Sequence, residues 1–112
     1  MSMGYGASCR KAAEDDKTLI YEYSVYNLNQ DDWLDMMELY DGMILIDKVV
    51  FKEPFIPSKE KIIFSGLTVE NCSRSWKLSE DGIDCMAIRL FYKIFNIYSK
   101  RGIFVESISV DY

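Results

Sequence analysis

Apolar residues return at three- and four-residue spacing through the last third of the chain: Ile83, Ala87, Leu90, Phe91, Ile94, Ile97 and Tyr98. On a helix these positions share one broad face, so the spacing predicts a helix over 79–101. Its ends carry matching chemistry. Ser79 or Asp81 offers an oxygen to the free amides of the first turn, and Glu80, Asp81 and Asp84 lie toward the positive end of the helix dipole. Lys100 and Arg101 lie toward the negative end, and Gly102 stands where a left-handed residue would close the helix.

Earlier in the chain the period changes. Residues 19–26 alternate, with Leu19, Tyr21, Tyr23 and Val25 on one side and Ile20, Glu22, Ser24 and Tyr26 on the other, which predicts a strand. Polar residues 27–30 turn the chain. A short helix is expected over 31–40, capped by Asp31, with Trp33, Met36, Met37 and Tyr40 inward. Asp31, Asp35 and Glu38 then form an acidic stripe on its opposite side, with Asp32 beside them. Asp41-Gly42 breaks the helix, and the β-branched run 43–51 reads as a buried strand, with a helical reading competing for its second half. Pro54 and Pro57 make 53–61 a loop. Segments 61–69 and 72–78 read as strands joined through Glu70-Asn71, and 103–110 reads as a terminal edge strand with Ser107 and Ser109 facing water. Residues 1–16 read as loop or, over 8–14, as a short frayed helix. The resulting fold class is α+β: a mostly antiparallel sheet of four to five strands with one long helix, about 80–101, packed on one face. The helix before the last strand leaves a parallel pairing open.

At 112 residues the chain has the length of one domain, spanning 1–112. Three cysteines without paired spacing and no histidine exclude the usual zinc sites and any Ser-His or Cys-His nucleophile. No glycine-rich phosphate loop appears, since Gly4-Tyr5-Gly6 lacks the third glycine and the preceding strand. No metal, cofactor or catalytic residue is therefore expected. With no leader and no membrane-length apolar run, the expected location is cytoplasmic, with reduced thiols. The net charge of −5 is unevenly spread: between Glu14 and Asp47, ten carboxylates face a single base, Lys17. Such a field favours a basic partner and disfavours nucleic acid as a direct ligand.

Four stretches carry a family resemblance: Gly4-Tyr5-Gly6-Ala7-Ser8; Ile20-Tyr21-Glu22-Tyr23-Ser24 with Tyr26-Asn27-Leu28-Asn29; Tyr40-Asp41-Gly42; and Glu106-Ser107-Ile108-Ser109. Together they resemble a little-characterised family of small bacterial proteins, chiefly from Firmicutes. The general profile is similar to that of immunity proteins of toxin–immunity systems: small, acidic α+β domains that bind and block a toxin. No site residues follow from the resemblance. The acids themselves name the candidates for a partner-binding surface: Asp31, Asp32, Asp35, Glu38, Asp41 and Asp47. The expected function is non-catalytic binding of a basic protein such as a nuclease-type toxin. Two alternatives stand beside it. One is a structural or regulatory domain that self-associates through the 103–110 edge or an exposed part of the long helix; the other is a carboxylate enzyme using acids such as Asp31, Asp32, Asp35 and Asp41.

Overall fold

The computed structural model describes residues 4–51, 66–80 and 82–111. The expected proline loop at 53–61, the first part of the expected strand 61–69 and the candidate cap Asp81 lie outside the described residues. Within them the chain runs β1 (Tyr5–Glu14), β2 (Thr18–Asn27), α1 (Trp33–Glu38), β3 (Gly42–Asp47), a 3-10 turn (Lys48–Phe51), β4 (Leu67–Glu70), α2 (Cys85–Arg101) and β5 (Ser107–Asp111). The five described strands form one antiparallel sheet in the order β4-β3-β2-β1-β5. Strands β1 to β4 follow one another as a meander. Helix α2 then carries the chain back across the sheet, so that β5 pairs with β1 and the α+β architecture is complete.

The alternation in β2 sets which face is buried. Leu19, Tyr21, Tyr23 and Val25 lie under α2 beside Ala7 and Cys9 of β1 and Ile44 and Ile46 of β3. Helix α2 answers with Met86, Ala87, Leu90, Phe91 and Ile94, all completely buried. Each large apolar side chain removed from water here contributes about 1.5–3 kcal/mol. The far end of α2 meets the 3-10 turn through an aromatic cluster, with Phe104 stacked on Tyr98 at 4.6 Å and Phe51 edge-on to Phe104 at 4.9 Å. That contact explains why the run 43–51 is divided. Its first part pairs as β3, and its last four residues coil so that Phe51 can reach α2.

Three expectations change. Residues 8–14 are neither loop nor frayed helix but most of β1, which is paired on both sides. Ala12, Ala13 and the charged residues around them have little strand propensity, and pairing with β2 overrides it, while β5 is a second partner for residues 6–10. A bulge between Lys11 and Ala13 absorbs the irregularity. Helix α2 begins at Cys85, not near 79, and its cap is Asp84, whose side chain accepts from the Met86 amide. Gly82, at φ +79°, takes a conformation that a helix cannot contain, and Ser79 Oγ accepts instead from the Ile83 amide, closing a turn ahead of the helix. Segment 72–78 is not a strand; only Leu78 forms a bridge, to Asp84. At the other end Gly102 closes α2 as expected, at φ +70° with its amide on the Tyr98 carbonyl.

Strand β5 is an edge whose outward groups are covered. Lys93 Nζ donates to the Ser109 carbonyl at 2.8 Å, and Arg89 donates to the Asp111 carbonyl at 3.2 Å. Two cations from α2 thus occupy acceptors that a second β-strand would need.

Candidate functional site

Helix α1 positions the acidic candidates. It packs against β2 at the margin of the sheet, and of its expected inward residues only Met36 is buried; Trp33, Met37 and Tyr40 are half-buried. The chain then leaves α1 across the sheet face opposite α2. Ser24 Oγ donates to the Met37 carbonyl at 2.9 Å, Tyr40 Oη lies 3.0 Å from Ser8 Oγ, and the Arg10 guanidinium sits 4.0 Å above the Tyr40 ring. Arg10 also pairs with Glu22. Short contacts along the sheet therefore fix α1, although it has only two turns.

Five of the six candidate acids gather around this element. Asp31 and Asp32 lie exposed just before α1, with Asp35 and Glu38 exposed along it. Asp31 is not the cap. The cap position falls to Asp32, whose side chain makes no capping bond, and whose Oδ2 stands 3.6 Å from Arg74 Nη1 instead. Asp41 follows α1, and its Oδ2 accepts from the Ser73 amide at 3.2 Å. Asp32 and Asp41 thus both face the turn at Ser73-Arg74. Asp47 does not join them. It ends β3, about 20 Å along the strand from Asp41 at about 3.3 Å per residue, and its Oδ1 accepts from the Val49 amide.

Apolar surface accompanies the acids. Leu28, Leu34 and Leu39 are exposed by 46%, 58% and 42%, so half of the large hydrophobics that the described residues leave open fall in this one stretch of chain. Beside them lies a cavity of about 350 Å³ lined by Tyr5, Val25, Tyr26, Asn27, Gln30, Met36, Arg74, Ser75 and Trp76. Tyr5 and Trp76 stack at 4.5 Å with planes 26° apart and form one wall. Burial raises the Tyr26 phenol above its ordinary range, so it is a neutral hydroxyl at any physiological pH. Trp76 is half-buried and belongs to this wall.

A buried polar cluster adjoins the cavity through Ser75. Asp84 is completely buried, and its Oδ2 accepts from Tyr23 Oη at 2.8 Å and from Ser75 Oγ at 3.0 Å, with Cys72 Sγ at 3.6 Å. Tyr23 Oη in turn accepts from the Cys72 amide at 3.0 Å, and Asn71 Oδ1 accepts from the Asp84 amide at 2.9 Å. Gly42 is required beside this cluster, because a Cβ there would run into the Tyr23 ring. The cluster joins β2, segment 71–76 and the start of α2. Sequence reading missed it, because each member looks ordinary alone: a strand Tyr, a helix-start Asp, a polar loop. Burial also raises the thiols of Cys9, to about 12, and of Cys72, so both stay protonated and unreactive in the folded chain. Among the described residues no group of three or more carboxylates or thiols is arranged to hold a metal ion, and no helix is long and apolar enough to cross a membrane. No protein-family model, curated protein or solved structure matches this chain.

Proposed function

We propose that this chain is a non-catalytic binding protein that docks a basic protein through α1 and its flanking turns. One observation carries the reading: Asp31, Asp32, Asp35 and Glu38 are exposed on the same short stretch that exposes Leu28, Leu34 and Leu39. Carboxylates attract a cationic surface at long range and orient it, while desolvated apolar side chains supply most of the lasting affinity. A surface that served only for solubility would need the acids and not the leucines. In its most concrete form the partner is a nuclease-type toxin, whose phosphate-binding cleft would receive the carboxylates, and the chain is its cytoplasmic immunity protein. The chain's general profile, small, acidic and α+β, is similar to that of immunity proteins and supports this form. Asp41 contributes from the edge of the surface, whereas Asp47 is too distant to act in the same contact.

The test is capture of a basic protein from lysate of the source cell by the immobilised chain, in low and high salt, beside an Asp35→Lys, Glu38→Lys variant. Both side chains point into solvent, so the fold should survive the change. A single basic protein retained at low salt, lost at high salt and ignored by the variant is the expected result. With the purified pair, the variant should associate at least about tenfold more slowly at low ionic strength. Equal binding by both chains would refute the acidic docking surface.

A further inference from the structure

The polar lining of the cavity beside α1 is rich in donors. Among the described residues Arg74 is its one charged member, and no carboxylate lines it. Asn27 presents a side-chain amide of set orientation: Oδ1 accepts from the Asn29 amide at 2.9 Å, so the polar atom left over is the Nδ2 donor. Gln30, exposed, adds a second amide, and the neutral Tyr26 phenol brings no negative charge. Val25 and Met36, both almost completely buried, give the cavity apolar depth. From this lining we infer that the cavity is a binding site for a small monocarboxylate, whose two oxygens fork onto Arg74 while its apolar stem lies against Val25 and Met36. The volume, about 350 Å³, lies within the usual range for a cleft that encloses a small ligand, about 300–1,000 Å³.

Arg74 has donors to spare. Its side chain faces Asp32 at 3.6 Å, well beyond the roughly 2.7–2.9 Å of a charge-assisted hydrogen bond, and both side chains are about half exposed. A guanidinium carries five N–H donors in a planar fork that matches a carboxylate, so two parallel bonds to a ligand can form while Asp32 stays nearby. Asp32 opposes the ligand, since it bears the same charge and competes for the same guanidinium. It keeps the affinity low and restricts the site to a single negative charge: a phosphate dianion would bring a second one toward Asp31 and Asp32 with no second cation in the lining. A cation would meet Arg74 and find no lining carboxylate to offset it. The site does not depend on the docking surface, whose acids and leucines lie outside this lining.

Hexanoate is titrated into the ¹⁵N-labelled chain at low ionic strength, and the Asn27 side-chain amide and the Ser75 backbone amide are followed. Hexanamide and hexylammonium serve as neutral and cationic comparisons. Saturable movement with a Kd of about 1–10 mM is expected for hexanoate, in keeping with the modest affinity of one small ligand, and binding at least about tenfold weaker for the other two. Arg74 is exposed, so Arg74→Gln should leave the unfolding midpoint unchanged and weaken hexanoate about tenfold, with Arg74→Lys, which keeps the charge and loses the fork, in between. Asp32→Asn should tighten hexanoate by about two- to fivefold, because it removes the competing charge. N-acetyl-leucine, which carries the carboxylate of a chain terminus, tells the two sources apart: tighter binding than hexanoate assigns the site to a peptide C-terminus, weaker binding to a free acid. Absence of saturable movement, equal binding of hexanamide, preference for hexylammonium, or weaker hexanoate binding by Asp32→Asn would each overturn the inference. Lysate capture by the acidic surface is a separate readout, and neither result decides the other.

Discussion

Asp84 collects hydrogen bonds from Met86, Tyr23 and Ser75 while fully buried, and no buried side-chain polar atom among the described residues is left unsatisfied. A buried acceptor is tolerable only under that condition, since an orphaned donor costs the full penalty of its desolvation. Tyr23→Phe removes the hydroxyl that bridges Asp84 and the Cys72 amide, and should destabilise the fold by about 1–3 kcal/mol. Asp84→Ala removes the helix cap as well and strands the Tyr23 hydroxyl proton, while Ser75 keeps the Cys72 carbonyl, so about 3 kcal/mol or more is expected. Asp84→Asn keeps an oxygen for the Met86 amide and should fall between them. Urea unfolding of the three variants gives the order directly; an Asp84→Ala chain as stable as Tyr23→Phe would mean that the carboxylate does little beyond the tyrosine contact.

At the scale of elements, β5 illustrates how an edge is kept from recruiting another strand. If Lys93 and Arg89 protect the carbonyls of Ser109 and Asp111, an Arg89→Ser, Lys93→Ser variant should show a faster-sedimenting species that grows with concentration, compared with the unmodified chain under the same conditions. Identical profiles would show that the edge needs no such cover. Elements with a strong period were legible in the sequence: the alternation of β2, the apolar face and Gly102 ending of α2, and the two-turn α1 between polar stretches. β1 was not legible, because Ala, Lys and Glu do not favour a strand until β2 lies alongside them, with β5 on the far side of residues 6–10. Nor was the true start of α2, since Ser79, Glu80, Asp81 and Asp84 all look like caps, and the choice among them depends on which side chain Tyr23 and Ser75 can reach. That five of the candidate acids cluster around α1 followed from their order in the chain. That the sixth stands apart did not, because only the strand geometry of β3 carries Asp47 away from α1. The pocket joins Tyr5 to Trp76, which lie far apart in the chain, and no local pattern announces such a pair.

Across the whole molecule, an ionic cluster ties the β1–β2 hairpin to the rest of the chain. Glu14 contacts Lys48 at 2.7 Å and Lys11 at 2.9 Å, and Lys11 also reaches Glu106. The Lys48 contact foremost, and Lys11 after it, hold the Glu14 carboxyl below its ordinary 4.5. A depressed carboxyl stabilises the fold fully above that ordinary value, and the contribution disappears as pH falls through the folded one. The gain is small, because water screens these partly exposed groups. The chain should therefore lose stability as pH falls below about 4.5 and through the lower folded value, and Glu14→Gln should lose less over that interval. Parallel curves for the two chains would assign the acid sensitivity elsewhere. The Asp84 cluster reaches further than stability. It anchors segment 71–76, and Arg74 and Trp76, which face the cavity, ride on that segment. Ordering a free backbone costs about 1–2 kcal/mol of conformational entropy per residue, and here folding has already met that cost before any ligand arrives. One carboxylate in the interior thereby holds the aromatic wall of a surface cavity in place, and its loss would loosen that wall even at temperatures where the chain stays folded.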